Sequence, residues 1–208
     1  FGDINYIDPT APATGQILVE FFRHVGARIS PAMASNLFAA ISTDTGSFQY
    51  AGTNERHFAA ASHLISSGVD VPTLSRSMYD SQPRRRFELL RYALNMAEFH
   101  CDDRIATFSL PLSEVERLKV LPEDNEGIID HLRSIEGVEA AVFFEELPEN
   151  KVRISSRSKD SSIDVCKVCA VFGGGGHPMA AGARMDGTLE NAKTQFLKVL
   201  SNEIRNRH

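Results

Sequence analysis

Residues 171–182 read VFGGGGHPMAAG, four glycines followed at once by a histidine and a proline. Ordering glycine costs more backbone entropy than ordering any other residue, so a run of four implies a need for bare main chain. Such a backbone lets an anion approach closely and can turn several N–H groups toward it as a nest. His177 adds a side-chain donor whose charge changes near neutral pH. Gly173, Gly174, Gly175, Gly176 and His177 are therefore candidate substrate contacts; the plainer alternative is a tight turn with a histidine on its shoulder. Two familiar nucleotide loops fail here. Five places after Gly173 and Gly174 stand Pro178 and Met179, so there is no G-x-G-x-x-G, and no Lys-Ser or Lys-Thr completes a Walker loop.

Other residues could serve the same chemistry. Arg157 and Ser158 close the segment KVRISSRS, and the planar arginine fork suits phosphate oxygens better than lysine does. If that strand lies beside the glycines, Arg157 and His177 converge on one anion. Asp44, in ISTDTGSFQY, follows an apolar helix at the negative end of its macrodipole. A carboxylate there is disfavoured by roughly 0.3–1 kcal/mol unless a positive charge answers it. A hard cation such as Mg²⁺ or Mn²⁺ would do so, and a turn-forming aspartate before Thr-Gly is the alternative. Arg84, Arg85 and Arg86 pose the mirror problem, positive charge in a first helical turn; either they form a solvated face or one of them, Arg84 first, reaches an anion. Cys166 and Cys169 form a C-x-x-C without a second pair, and with Ile163 and Ala170 they read as small buried residues rather than a zinc site.

The elements that would position these groups follow from periodicity and caps. The segment FGDINYIDPTAPATGQ, with two prolines and no helical period, reads as extended chain followed by a helix entry. A helix then carries Ile17, Leu18, Phe21, Phe22 and Val25 on one face and stops at Gly26. Ser30-Pro31 is an N-cap with proline at the first helical position, opening a helix that packs Met33, Leu37, Phe38 and Ile41. Thr53 or Asn54 starts a third helix with Phe58, Ala61, Leu64 and Ile65 inward, ending at Gly68. These helices are expected to cover a small sheet. Phe87, Leu90, Leu94 and Ala97 mark a helix linking two lobes. Beyond His100, RIATFSL, VEAAVFFEEL, KVRISSRS and AAGARM read as strands, with a short helix over 163–171 before the glycines and a last helix through Leu189, Ala192, Phe196 and Leu200.

With 208 residues the chain can bury a real core. No segment approaches a membrane span and no leader pattern opens it, so a cytoplasmic protein is expected. Three cysteines, an odd number, argue against a disulfide framework. A net charge of −5 argues against gripping long nucleic acid, but leaves room for a small phosphorylated ligand in one positive pocket.

Taken together, these stretches resemble the DHH phosphoesterase family, in particular its nanoRNase/pAp-phosphatase branch. GGGGHPMAAGA is similar to the signature of the DHH-associated C-terminal subdomain, and VRISSRSKDSSIDVCKVCAVFGGGGH extends the likeness upstream. AAISTDTGSFQYAGTNERHFAAASHLISSGVD resembles the fourth catalytic motif of the N-terminal lobe, and FGDINYIDPTAPATGQILVEFF the segment after the Asp-His-His triplet.

The resemblance implies an α/β fold of two lobes: residues 1–79 as the C-terminal part of a catalytic DHH lobe, 80–99 as the linking helix, and 100–208 as a mixed-sheet substrate-binding domain. It implies Mn²⁺-dependent hydrolysis of phosphoesters at a two-ion site, with Asp44 as catalytic metal ligand and with Arg157, His177 and the glycine backbone holding the phosphate or terminal nucleotide. The triplet itself would precede Phe1, so the chain is expected to act poorly alone. Expected partners are short RNA oligonucleotides or phosphorylated nucleotides such as 3′-phosphoadenosine 5′-phosphate, with no membrane and no long nucleic acid; a homodimer is the assembly allowed for. The rivals are a cyclic-dinucleotide phosphodiesterase and an RNA-binding module like the C-terminal domain of alanyl-tRNA synthetase. STDTGSF speaks against the second, because a pure binding module has no use for a metal aspartate.

Overall fold

The computed structural model describes residues 2–8, 10–11, 13–50 and 52–205. The prolines at positions 9 and 12, which entered the extended reading of the first segment, lie outside the described residues. The chain divides into two compact units, Phe1–Ser81 and Gln82–His208.

The first unit is helical. Helix α1 spans Thr14–His24, α2 Pro31–Asp44, α3 Glu55–Ser66 and α4 Val71–Tyr79. Local chemistry sets their starts. The Ser30 side chain accepts from the Met33 amide with Pro31 at N1, Asn54 caps α3, and Asp70 caps α4 by accepting from Thr73 N. Gly26 and Gly68, in the left-handed region, follow α1 and α3 closely. No strand occurs among the described residues of this unit, so the expected small sheet is not there.

The buried faces also differ from expectation. Leu18 and Phe21 of α1 are exposed, as are Val25 just after it, Met33, Phe58 and Ile65. What α1 buries is Gly15, Gln16 and Val19. The reason is the α1–α2 approach at Gly15, where an added Cβ would stand 3.2 Å from Ala40 and Ile41. With that close crossing the small face lies inward and Leu18 and Phe21 outward, while Phe22 of the expected stripe packs against the core. Ile17, Leu18 and Phe21 instead border a cavity of about 870 Å³ beneath Tyr6 and Ile7. The core of the unit gathers Val19, Leu37, Phe38, Ile41, Ala61 and Leu64.

The second unit is built on a six-stranded mixed sheet. Its strands are β1 (Glu98–His100), β2 (Ile105–Leu110), β3 (Ala140–Leu147), β4 (Lys151–Ser158), β5 (Gly175–His177) and β6 (Ala180–Asp186), in the order β1-β2-β3-β4-β6-β5. Only β2 and β3 run parallel, joined by a crossover through α6 (Leu112–Leu118), a 3-10 turn (Pro122–Asn125) and α7 (Ile128–Arg133). Helices α8 (Val165–Ala170) and α9 (Leu189–Arg205) cover one face, burying Val152, Ile154, Ala181 and Ala183 against Val168, Phe196 and Leu200.

On the other face, α5 (Arg84–Asn95) and α7 pack Leu89, Ala93 and Ile129 against Ala106, Phe108 and Phe143. The helix expected to link two lobes is thus part of this unit. Its fully buried residues are Leu89 and Ala93, with the expected Leu90 and Ala97 packed beside them, while Phe87 and Leu94 are exposed. Arg85 and Arg86 fasten the helix by binding Asp124 at 2.6 Å and the Glu126 carbonyl at 2.5 Å.

Candidate functional site

The glycines do not form a curled loop. Helix α8 ends at Ala170, a turn carries the chain through Gly173, and Gly175–His177 becomes the edge strand β5. It folds back on β6 through Pro178 and Met179, pairing Gly175 with Gly182, Gly176 with Ala181 and His177 with Ala180. The Pro178 carbonyl accepts from Val165 N at 2.8 Å, which ties the turn to the start of α8. The expected nest is therefore replaced by a hairpin, because β6 offers a ladder for the bare backbone to join.

Each glycine has its own reason. Gly173 sits at φ 71°. A Cβ on Gly174 would stand 2.2 Å from the Gly182 carbonyl oxygen, and one on Gly176 would stand 2.5 Å from the Ala180 carbonyl oxygen. These two are bare because β6 lies against them. Gly175 alone has neither excuse: its φ is outside the left-handed region and nothing lies within 4 Å of a Cβ placed there.

Strand alternation places the neighbours. In β4, Val152, Ile154, Ser156 and Ser158 are buried, so Arg153, Ser155 and Arg157 occupy the opposite, open face. Arg157 pairs across with Ala180, which pairs with His177, so the three form one row. Backbones two strands apart are about 10 Å distant, and two side chains reaching inward can meet one anion.

Arg157 donates to the Ser156 carbonyl at 3.0 Å and pairs with no carboxylate among the described residues, while His177 is exposed. The next row, Gly175–Gly182–Ser155, forms a floor without large side chains. The third row sets Arg184 opposite Arg153. A cavity of about 410 Å³ opens here, bordered by Arg153, Ser155, Gly173, Gly174, Gly182 and Arg184.

Two nominated residues are placed elsewhere. Ser158 is fully buried on the face opposite Arg157, so its hydroxyl cannot share the open face; Ser155 takes that place. Arg84 is 92% exposed and faces Glu88 at 3.6 Å. Its helix packs on the β2 side of the sheet, far along the strand order from β5, and does not bring it beside Arg157 and His177. Ser155, Gly182 and Arg184 escaped the sequence reading. The period of two in KVRISSRS and AAGARM held the signal, since it aligns Arg153, Ser155 and Arg157 with Ala180, Gly182 and Arg184.

In α8 the inward residues are Val165, Val168 and Cys169, preceded by Ile163, whereas Ala170 is exposed. Burial pushes the Cys169 thiol up to about 11. Cys166 donates its thiol to the Gly176 carbonyl at 3.2 Å, which ties α8 to the edge strand.

In the first unit, Asp44 is the last residue of α2 and exposed. The chain then holds Gly46, Ser47 and Phe48 at φ 55°, 57° and 64°. For the two non-glycine residues this conformation costs roughly 1–2 kcal/mol each. Thr45 Oγ1 offsets part of that by accepting from Phe48 N at 3.0 Å, and the Tyr79 hydroxyl bonds Ser42 at 2.9 Å and Ser47 at 3.0 Å. Asp44 thus immediately precedes a hydrogen-bonded turn that holds two non-glycine residues in the left-handed region. Among the described residues no group of three or more His, Cys, Asp or Glu is placed to hold a metal ion. A single carboxylate does not fit a two-ion centre.

Residues 113–206 match the DHHA1 domain. Over 205 residues the chain is 28% identical to the bifunctional oligoribonuclease and PAP phosphatase NrnA of Thermus thermophilus, covering 98% of this chain and 61% of that protein. It is 29% identical over 193 residues to the probable enzyme of the same name from Streptococcus mutans, covering 92% and 60%. The structure of an exopolyphosphatase-related protein from Bacteroides fragilis superposes with a TM-score of 0.92 at 27% identity, covering 99% of this chain and 61% of that one. The chain spans about three-fifths of the length of these relatives.

The second unit therefore carries a DHHA1 domain. The chain as a whole is a distant homologue of the NrnA phosphoesterases, related to them over most of its length. No helix among the described residues is long and apolar enough to cross a membrane.

Proposed function

We propose that this chain is the substrate-holding part of a metal-dependent phosphoesterase acting on short oligoribonucleotides or on 3′-phosphoadenosine 5′-phosphate. The observation that carries this reading is the row His177–Ala180–Arg157 on the open face, next to a glycine that no feature of the fold requires. Arg157 offers a planar fork of N–H donors and has no carboxylate partner among the described residues; His177 supplies a further donor from the edge strand. A phosphate bound there has its charge answered on one side, and the flat floor at Gly175 and Gly182 leaves space for a sugar or base against main chain. The names of the distant relatives support the substrate class.

Asp44 is the carboxylate of this chain that would contribute one ligand to such a metal centre; alone it does not fit the two ions. This chain's own residues do the holding. Arg157 and His177 fix the phosphate group, and Asp44 stands at the end of α2 just before the hydrogen-bonded turn.

Calorimetric titration of AMP into wild type, His177→Ala and Arg157→Ala tests the assignment. Loss of a charged hydrogen bond costs roughly 1.5–3 kcal/mol, so each variant is expected to bind on the order of 10- to 100-fold more weakly. Equal affinities in all three proteins would overturn it.

A further inference from the structure

The open face of β4 and β6 continues past Ser155 and Gly182 to a second basic row, Arg153 opposite Arg184. Like charges directly across a strand pair repel and are retained only where something answers them. Arg153 is answered. Its guanidinium pairs with Glu145, whose side chain is 10% exposed and whose other oxygen accepts from Asn125 Nδ2 at 3.0 Å. Arg184 is exposed and has no hydrogen bond or ion pair with any described residue. Asp186, two residues further along the same face, lies across from Lys151, whose ammonium is taken by Glu149 at 2.8 Å; no ion pair joins Asp186 to Arg184. Arg184 thus borders the 410 Å³ cavity as an unneutralised cation.

We propose that Arg184 is a specificity-determining residue that binds the second anionic group of a ligand whose first phosphate is held by Arg157 and His177. One phosphate rests on Arg157 and His177 and the other on Arg184. This rests on the phosphate site proposed above and adds the residue that meets the second phosphate. Four residues of strand separate the two basic rows, about 13 Å at the usual rise. The reach of the arginine side chains shortens that span, and a nucleoside flanked by two phosphates bridges it where a lone monophosphate does not. Between the rows lie the Ser155 hydroxyl and the bare Gly175–Gly182 floor, which let the bridging nucleoside lie flat.

The test titrates AMP and 5′-phosphorylated diadenylate into wild type, Arg184→Ala, Arg184→Lys and Arg157→Ala at several salt concentrations. Arg184→Ala is expected to weaken the two-phosphate ligand about tenfold while changing AMP less than twofold. It should also flatten the dependence of log affinity on log salt by about 0.7, one single-strand phosphate contact. Arg184→Lys should recover part of both effects. If Arg184→Ala leaves the dinucleotide unchanged, or weakens both ligands alike, the second subsite is wrong. If wild type binds neither ligand, or Arg157→Ala binds both as tightly as wild type, the underlying phosphate site falls and the second subsite with it.

Discussion

At the scale of single residues, adjacent glycines in one run meet different physical demands. Gly174 lies against the backbone of β6, and an alanine there would force its methyl into the Gly182 carbonyl and Ala183. Backbone cannot yield as a flexible side chain can, so Gly174→Ala is expected to cost at least about 1–3 kcal/mol. Gly175→Ala should leave stability within about 0.5 kcal/mol, because its methyl meets open space at an ordinary φ. The same methyl would stand on the floor where ligand is proposed to lie. Thermal melts and AMP titrations of both variants check this: Gly174→Ala should lower the melting temperature, and Gly175→Ala should keep it but lose affinity. A Gly175→Ala protein that binds AMP as wild type does would remove that residue from the site.

At the scale of elements, an ion-pair network fastens the N-terminal segment to two helices. Arg56 on α3 donates to Glu20 on α1 at 2.7 and 3.0 Å and to Asp8 at 3.1 Å. Bonds from the Arg56 guanidinium hold the Glu20 carboxyl below its usual value. The Thr10 hydroxyl and amide, with Arg56 after them, do the same for Asp8. Both groups are more acidic folded than unfolded. Their stabilisation is therefore complete above the unfolded carboxylate range, about pH 4, and is lost as pH falls through the lower folded values. The pairs are largely solvated, which limits their worth. Arg56→Ala is expected to lower the melting temperature by a few degrees at pH 7 and to flatten its decline between pH 5 and pH 3. Circular-dichroism melts across that range would show it; parallel curves for both proteins would count against the network.

At the scale of the whole molecule, each compact unit holds its own buried clusters. The first unit has one around Ile41 and Leu64, and the second has two, one on each face of its sheet. Arg157, His177 and Arg184 all belong to the second unit, whereas Asp44 belongs to the first. Residues 82–208 produced alone are therefore expected to fold cooperatively and to bind AMP within about twofold of the 208-residue chain. For the same reason AMP binding should not need Mn²⁺, and the 208-residue chain should show no tight Mn²⁺ site, since one carboxylate cannot hold two ions. Titration with Mn²⁺ in the presence and absence of AMP measures both. Tight Mn²⁺ uptake would mean that side chains not grouped in this structure assemble around the metal.

Interactions that close within a few residues were legible in the amino-acid order. The Ser30-Pro31 and Asn54 caps, the glycine stops, the period of two in KVRISSRS and the motif around His177 are all of this kind. Their physics is local, and so β2, β3, β4, β6, α8 and α9 could be read directly, and Arg157 and His177 could be nominated from their motifs. Strands β1 and β5 and the crossover helices α6 and α7 were not read. What only tertiary structure decided is which side of each element meets another. The α1–α2 approach at Gly15 leaves Leu18 and Phe21 outward, Arg85 and Arg86 fasten α5 to Asp124 and the Glu126 carbonyl, and pairing with β6 converted a presumed loop into an edge strand. The same strand order buried Ser158 and carried Arg184 to the open face. Those outcomes depend on partners many residues distant, and a one-dimensional pattern carries the period of an element but not the neighbour it will be pressed against.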